Sequence, residues 1–354
     1  MNVIRTTTLA IGASLIGSSL FIFLAKPDAL SLIILAMGVM SLLHGTGFLQ
    51  EFIVRKILRW CGTKKPVIGI VNDLPWSPRP EKGTYAWAWS KMEPGEWYSK
   101  IDNAIKKSKI NAKPKLIKIT TPLRRWFLDR YLVIVNPYGS VYPEVDIKEL
   151  TIWKSILYYV LHGGRFVNVA DIPFYWAYDP KREIRYEMVK YFHQYVPMYK
   201  RSSDDVLHPV SGGIISFGPY PETPFLSELR INIINTETTK GEYINPMYSS
   251  LKLKSSLLKS NYLDSVAINR GVVVGKVEKG ERKIEVNHVK SMVEELEWDG
   301  KLVTPFCSIY FGKGKFLVSL AFLEYDKQQE DIREKITIHQ CDLVIKEVKD
   351  ILRN

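Results

Sequence analysis

A chain of 354 residues with an apolar fraction of 46% and a formal net charge of +12 is long enough for one large folded domain or two small ones, and it has an ordinary capacity to build a core. Its three cysteines, Cys61, Cys307 and Cys341, lie far apart without CxxC spacing, which fits a reducing compartment and excludes a cysteine zinc knuckle. The basic residues are scattered among acidic ones with no nucleic-acid-binding motif, so the charge argues against nucleic acid as a partner and for an anionic lipid surface.

In chain order, the first feature is a pair of uncharged apolar runs, TLAIGASLIGSSLFIFLA over residues 8–25 and ALSLIILAMGVMSLLHGTGFLQ over residues 29–50. Each is about long enough to cross a hydrocarbon core of roughly 30 Å as a helix. Arg5 ahead of the first run raises the alternative of a signal peptide, but FLAKPDA is a poor cleavage site and a second apolar run follows at once. The expectation is a two-helix transmembrane hairpin turning at Lys26, Pro27 and Asp28, with the lipid bilayer as partner. Arg55, Lys56, Arg59, Lys64 and Lys65 crowd its exit, which by the positive-inside rule places both termini and the following domain in the cytoplasm. Arg55, Lys56, Arg59 and Trp60 are the expected membrane-interface residues.

Beyond Lys65 the pattern becomes strand, loop and helix in alternation. PVIGIVND (66–73) reads as a buried parallel strand, followed by an aromatic loop with Trp76 and the alternating YAWAW, then a helix in EWYSKIDNAIKKS (96–108). KLIKITTP (115–122) and YLVIVNPYG (131–139) read as strands, and VDIKELTIWKSILYYVLHGG (145–164) as an amphipathic helix with Asp146 as N-cap, Glu149 completing a capping box, and Gly163 as its stop. RFVNVADIPF (165–174) predicts a fourth strand, DPKREIRYEMVKYFHQYV (179–196) a helix, and GGIISFG (212–218) a fifth strand. From residue 219 regularity fails, and a β-rich insertion is expected to about residue 286, with GVVVGKVEKGERKIEV as a hairpin. A short helix over 289–296, a hairpin turning at Gly312, Lys313 and Gly314, and an amphipathic helix over 329–352 complete the chain. The division is thus 1–61 for the membrane hairpin, 62–218 for an α/β domain, 219–286 for the insertion and 287–354 for the completion of that domain. The fold class expected is a doubly wound, mostly parallel α/β sheet.

The strand ending in a Pro-Gly turn, the helix ending YVLHGG, the strand FVNVADIPF and the GKGKFLVSLAFLE hairpin together resemble the class I glutamine amidotransferase-like superfamily, in its branches without amidotransferase activity. That resemblance implies a flavodoxin-like sheet and, in active members, a nucleophilic cysteine on a turn after a central strand. Here that position reads Val169, Ala170, Asp171, Ile172 and holds no thiol, so glutamine hydrolysis is not expected.

In a doubly wound sheet ligands bind beyond the carboxyl ends of the strands, which makes Asn72, Asp73, Trp76, Asn136, Tyr138, Glu144, Asp171 and Tyr175 the candidate ligand-binding residues. The same Asn, Asp, Pro and Gly residues are what strand-to-helix turns require, so both readings stay open. No metal-ligand set, phosphate loop or cofactor motif is present, and no catalytic residue is assigned. The leading expectation is a ligand-binding or scaffolding module. The alternatives are a carboxylate-dependent hydrolase acting on a sugar-like substrate, using Asp73, Glu144 or Asp171, and a structural subunit of a membrane complex with a protein partner.

Overall fold

The computed structural model describes residues 66–74, 93–121, 128–201 except 192, 207–210, 222–235, 270–320 and 330–353, together with 14, 16 and 33–39. The chain forms two units, Met1–Pro66 and Val67–Asn354. In the first, residues 33–39 are helical. Among the described residues no helix is long and apolar enough to cross a membrane. This overturns the expected pair of transmembrane helices, and with them the integral-membrane, cytoplasm-facing localisation. Most of the expected hairpin lies outside the described residues, as do Arg55, Lys56, Arg59 and Trp60.

The second unit is built on a seven-stranded sheet. Its strands are β1 (Val67–Val71), β2 (Lys113–Ile117), β3 (Tyr131–Asn136), β5 (Arg165–Asn168), β13 (Val289–Ser291), β16 (Phe306–Phe311) and β17 (Gly314–Ser319), in the order β13-β16-β17-β5-β3-β1-β2. The five strands from β17 to β2 are parallel, while β16 pairs antiparallel with both β17 and β13. Side chains alternate between two cores as the pleat demands. Val67, Val71, Phe166, Phe316 and Val318 face one core, whereas Ile68, Ile70, Val167 and Leu317 face the other. The first core is covered by α2 (Thr151–Leu161), whose Trp153 joins Phe174, Phe225 and Phe316 in an aromatic cluster with ring centroids 4.7–6.2 Å apart. The second is covered by α1 (Pro94–Lys107) and α4 (Glu330–Arg353). The tight Gly-Lys-Gly turn has a packing reason, since a Cβ at Gly314 would collide with the carbonyls of Val160 and Gly164.

Two further sheets stand where one doubly wound sheet with a single insertion was expected. One joins β4 (Val141–Pro143), β6 (Trp176–Asp179), β7 (Ile184–Tyr191), β8 (Gln194–Arg201) and β9 (Leu207–Pro209) in that order. The other runs β10-β11-β15-β14 with β12 hairpinned onto β11, comprising β10 (Ile233–Asn235), β11 (Arg270–Glu278), β12 (Glu281–Ile284), β14 (Leu296–Trp298) and β15 (Lys301–Thr304). α3 (Pro224–Leu229) precedes β10. The fold is therefore mixed α/β with several sheets and few helices. The helix expected over 179–196 is the hairpin β7–β8: Asp179 does not cap a helix but turns the chain, its carboxylate accepting from Lys181 N (2.8 Å) and Arg182 N (3.2 Å), so that Asp179 pairs with Ile184. The period of Tyr186 and Met188 against Arg185 and Glu187 is that of a strand, and it prevails over the Asp-Pro start signal. The expected helix over 289–296 is likewise replaced by β13 and the start of β14, while the expected strand at 212–218 lies outside the described residues.

α4 is held at both ends of its described face. Toward its end, buried Glu347 takes Lys315 Nζ at 2.6 Å and Arg165 Nε at 3.3 Å, pinning the helix to the amino ends of β17 and β5. Nearer its start, His339 lies edge-on to Phe306 with ring centroids 5.3 Å apart, and among the described residues its buried Nε2 has no hydrogen-bond partner. Burial pushes this imidazole down to about 4. The folded protein thus resists the proton that the unfolded chain accepts near pH 6.5, so stability is undiminished above that pH and falls as pH drops toward 4, by roughly 3 kcal/mol in all. Asp73 and Glu144, whose values burial raises, act in the opposite sense as pH falls. The His339 contribution is therefore read as the difference between wild type and His339→Leu in urea unfolding at pH 7 and pH 4.5. The variant is expected to lose less stability than wild type over this interval, and parallel losses would refute the assignment.

Candidate functional site

The carboxyl ends of β1, β3 and β5 present the residues singled out by sequence. At the end of β1, Asn72 N donates to Ile117 O at 2.7 Å, and the Asp73 carboxylate accepts from Ile119 N at 2.6 Å and Thr120 N at 3.1 Å, with the Thr120 hydroxyl as a further donor. This carboxylate fastens the chain leaving β2. Burial raises its pKa, and the three hydrogen bonds pull it down without overcoming the desolvation. Tyr138 is fully buried, its hydroxyl accepting from Leu74 N at 3.2 Å. Burial is also the main reason that its phenol is pushed up well beyond the usual range. Trp76 lies outside the described residues.

Glu144, completely buried after β4, receives Ile152 N on both carboxylate oxygens (3.0 and 3.1 Å), Trp153 N at 3.1 Å, Val145 N at 3.0 Å and Asp146 N at 3.2 Å. It caps α2, whose first N–H groups would otherwise be orphaned and whose positive end favours an anion. The expected cap was Asp146, which instead accepts from Lys148 N (3.1 Å) and Glu149 N (3.0 Å) in a turn ahead of the helix. Leu150 adopts a left-handed φ of 50°, which brings the helix start over Glu144 rather than Asp146. Burial raises the Glu144 pKa against the pull of these backbone donors.

Asn136 and Asn168 stand opposite each other on β3 and β5. Asn136 Nδ2 donates to Asn168 Oδ1 at 3.0 Å, Val141 O at 3.0 Å and Gly139 O at 3.1 Å, and Asn168 Nδ2 donates to Ala170 O at 2.7 Å. The pair braces the two strand-end turns against each other, and Gly139 fits there because its φ of +64° is left-handed and a Cβ would press on Ala170 O at 3.1 Å. Asp171, also left-handed at φ 59°, accepts from Ile172 N at 2.7 Å and from the guanidinium of Arg270, both partners of this ion pair being almost fully buried. Tyr175 donates its hydroxyl to the buried Glu187 carboxylate, and its neighbour Trp176 lies under the Arg185 guanidinium at 4.3 Å.

The structure therefore brings Asn136 and Asp171 into one network but gives each carboxylate its own stretch of backbone. Among the described residues no two of Asp73, Glu144 and Asp171 share a hydrogen-bond partner. Asn168, Arg270, Arg185 and Glu187 were not anticipated. A polar residue in the otherwise apolar strand FVNV was a usable signal for Asn168, whereas nothing local marks Arg270, 99 positions from its partner. Among the described residues no cluster of His, Cys, Asp or Glu could hold a metal ion. Buried Cys307 and Cys341, whose thiols burial pushes up to about 12, are not poised as nucleophiles.

No family model and no curated protein matches the chain. Similar solved structures include a β-galactosidase from Bacillus circulans sp. alkalophilus (11% identity, TM-score 0.36, covering 87% of this chain and 35% of that one). Another is the cold-adapted β-galactosidase from Rahnella sp. R3 (12% identity, TM-score 0.34, covering 90% and 35%). A third is a GH42 β-galactosidase from G. stearothermophilus (10% identity, TM-score 0.40, covering 92% and 34%). This chain spans about a third of the length of those proteins, and at these TM-scores the likeness carries no argument about its chemistry. The expected resemblance to glutamine amidotransferases does not stand: no family model matches the chain, and its described residues form three sheets rather than one doubly wound sheet.

Proposed function

We propose that the unit from Val67 onward is a binding or assembly module with a protein partner, and that Asp73, Glu144 and Asp171 serve its architecture. The observation that supports this reading is the fate of those three carboxylates. A glycoside-cleaving pair needs one carboxyl group free to donate a proton and another facing the same bond, a few ångströms away. Here Asp73 is taken up by the backbone of Ile119 and Thr120, Glu144 by the first turn of α2, and Asp171 by Arg270. The alternative, a hydrolase acting on a sugar-like substrate, is tested directly by incubating the full chain with nitrophenyl galactoside, glucoside and mannoside between pH 5 and 8. The expected result is no release of nitrophenol above buffer. Turnover that disappears in Glu144→Gln or Glu187→Gln would overturn the module reading in favour of the hydrolase.

A further inference from the structure

The parallel strands of the seven-stranded sheet all start at one edge, and the helices over the second core end there. Only five residues separate Lys107, the last of α1, from Lys113, the first of β2, so α1 returns to the edge at which β1 begins. α4 runs the same way: Gln340 donates to Val169 O at the carboxyl end of β5, whereas Glu347 holds Lys315 and Arg165 at the amino ends of β17 and β5. Arg353, six residues on, lies roughly 9 Å further along the helix. The turn before β17 is fastened here too, since Lys313 N donates to Leu161 O at the end of α2 (3.0 Å).

These segments present Lys107, Lys109, Lys113, Arg130, Lys313 and Arg353, every one of them exposed. The strand starts from β17 to β2 lie side by side over roughly 19 Å. Of the acidic residues in the same described segments, Asp129 and Glu347 are buried, which leaves Asp350, half-exposed, against the cations. Helix dipoles favour Lys107 and Arg353 at the ends of α1 and α4, but strands carry little net dipole, so that effect does not account for Lys113, Arg130 and Lys313. Interleaved with the charges are two large apolar side chains left in solvent, Tyr310 at 43% exposure and Leu352 at 46%. Tyr310 stands opposite Lys315 at the start of β17, and Leu352 precedes Arg353 in the last turn of α4. The opposite edge carries Asp73 and Asp171 instead.

We infer that this amino edge is a docking face for an anionic lipid surface, with its lysines and arginines among the headgroups and Tyr310 and Leu352 reaching the interface. The step goes beyond the module reading and concerns another partner on another face. A lipid surface is favoured over an acidic protein because lysine supplies most of these cations, and lysine is depleted in protein interfaces whereas arginine is enriched. Attraction to lipid needs only charge held within a Debye length of about 8 Å, which flexible lysine stems provide without a fixed geometry. Aromatic and aliphatic side chains set among basic ones are the composition of interfacial anchors.

The test sediments the full chain with vesicles of phosphatidylcholine alone or with one part in four of phosphatidylserine. Binding to the anionic vesicles is expected to be at least tenfold stronger, and to vanish in about 0.5 M salt. Lys107→Gln with Lys113→Gln and Lys313→Gln is expected to weaken it at least twentyfold, from roughly fivefold per charge removed. Lys118→Gln with Lys181→Gln and Lys279→Gln removes the same charge from exposed positions away from this edge, and is expected to weaken it by less than about threefold. Equal losses in the two triple variants would assign the binding to overall charge, and equal binding to neutral vesicles would assign it to apolar insertion; either overturns the docking face. Loss of heparin retention in the first triple variant without loss of vesicle binding would give the edge to another polyanion and overturn it as well. Glycoside turnover, on which the module reading fails, moves none of these readouts.

Discussion

Glu144→Ala is expected to destabilise the unit from Val67 onward by roughly 3–5 kcal/mol, the sum of a lost helix cap and of buried N–H groups left without acceptors. Four backbone donors converge on this one carboxylate, and two of them, Ile152 N and Trp153 N, open the helix that covers the first core. Water cannot substitute readily, since Glu144, Ile152 and Trp153 are all buried. Glu144→Gln keeps one oxygen acceptor and should cost less, about 1–2 kcal/mol at pH 7. Because burial raises the Glu144 pKa above its unfolded value, its ionised form is held at a penalty at neutral pH. That penalty vanishes as pH falls through the folded pKa. Urea midpoints for wild type and the two variants at pH 7 measure the capping loss directly. An unchanged midpoint for Glu144→Ala would remove the capping role and reopen Glu144 as a functional acid.

The second large effect is expected at the ion pair between Asp171 and Arg270. Asp171→Asn keeps the shape and tolerates the left-handed backbone, but it takes a carboxylate away from a buried guanidinium, which costs about 3–5 kcal/mol. Replacing both residues, as Asp171→Asn with Arg270→Met, should recover more than half of that loss, because the cost lies in the uncompensated charge rather than in the absence of the pair. The double-mutant cycle from chemical denaturation supplies the coupling energy. Additive losses would show that the two side chains act independently and that the contact between the end of β5 and the start of β11 is incidental.

The parallel core of the fold was legible because its code is local. Short apolar runs such as VIGIV and YLVIV are those of strands buried on both faces, and the GKG hairpin and the last helix follow from turn chemistry and helical periodicity. The other two sheets were hidden where local signals conflict. Asp179 followed by Pro180 is as good a start for a helix as for a turn, and only the pairing of β7 with β6 and β8 decides between them. The capping of α2 failed for a related reason. Asp146 has the right spacing, but the left-handed Leu150 shifts the first turn onto Glu144, a conformation that no propensity of leucine announces. The candidate carboxylates Asp73, Glu144 and Asp171 stand just beyond the ends of β1, β4 and β5, where the chemistry of such turns puts them. Their partners, Arg270 and Glu187, come from segments whose proximity only the folded chain creates.

The pairing of β5 with β17 sets the order in which this protein can be assembled. Arg165 lies beside Lys315, about 150 positions further along the chain. Until residues 314–319 have left the ribosome, β5 has one open parallel edge and the second core lacks α4. Such long-range closure is slow, because loop entropy is lost before any contact compensates for it. A nascent chain with β1, β2, β3 and β5 complete would thus expose an aggregation-prone edge for as long as translation of the intervening residues takes.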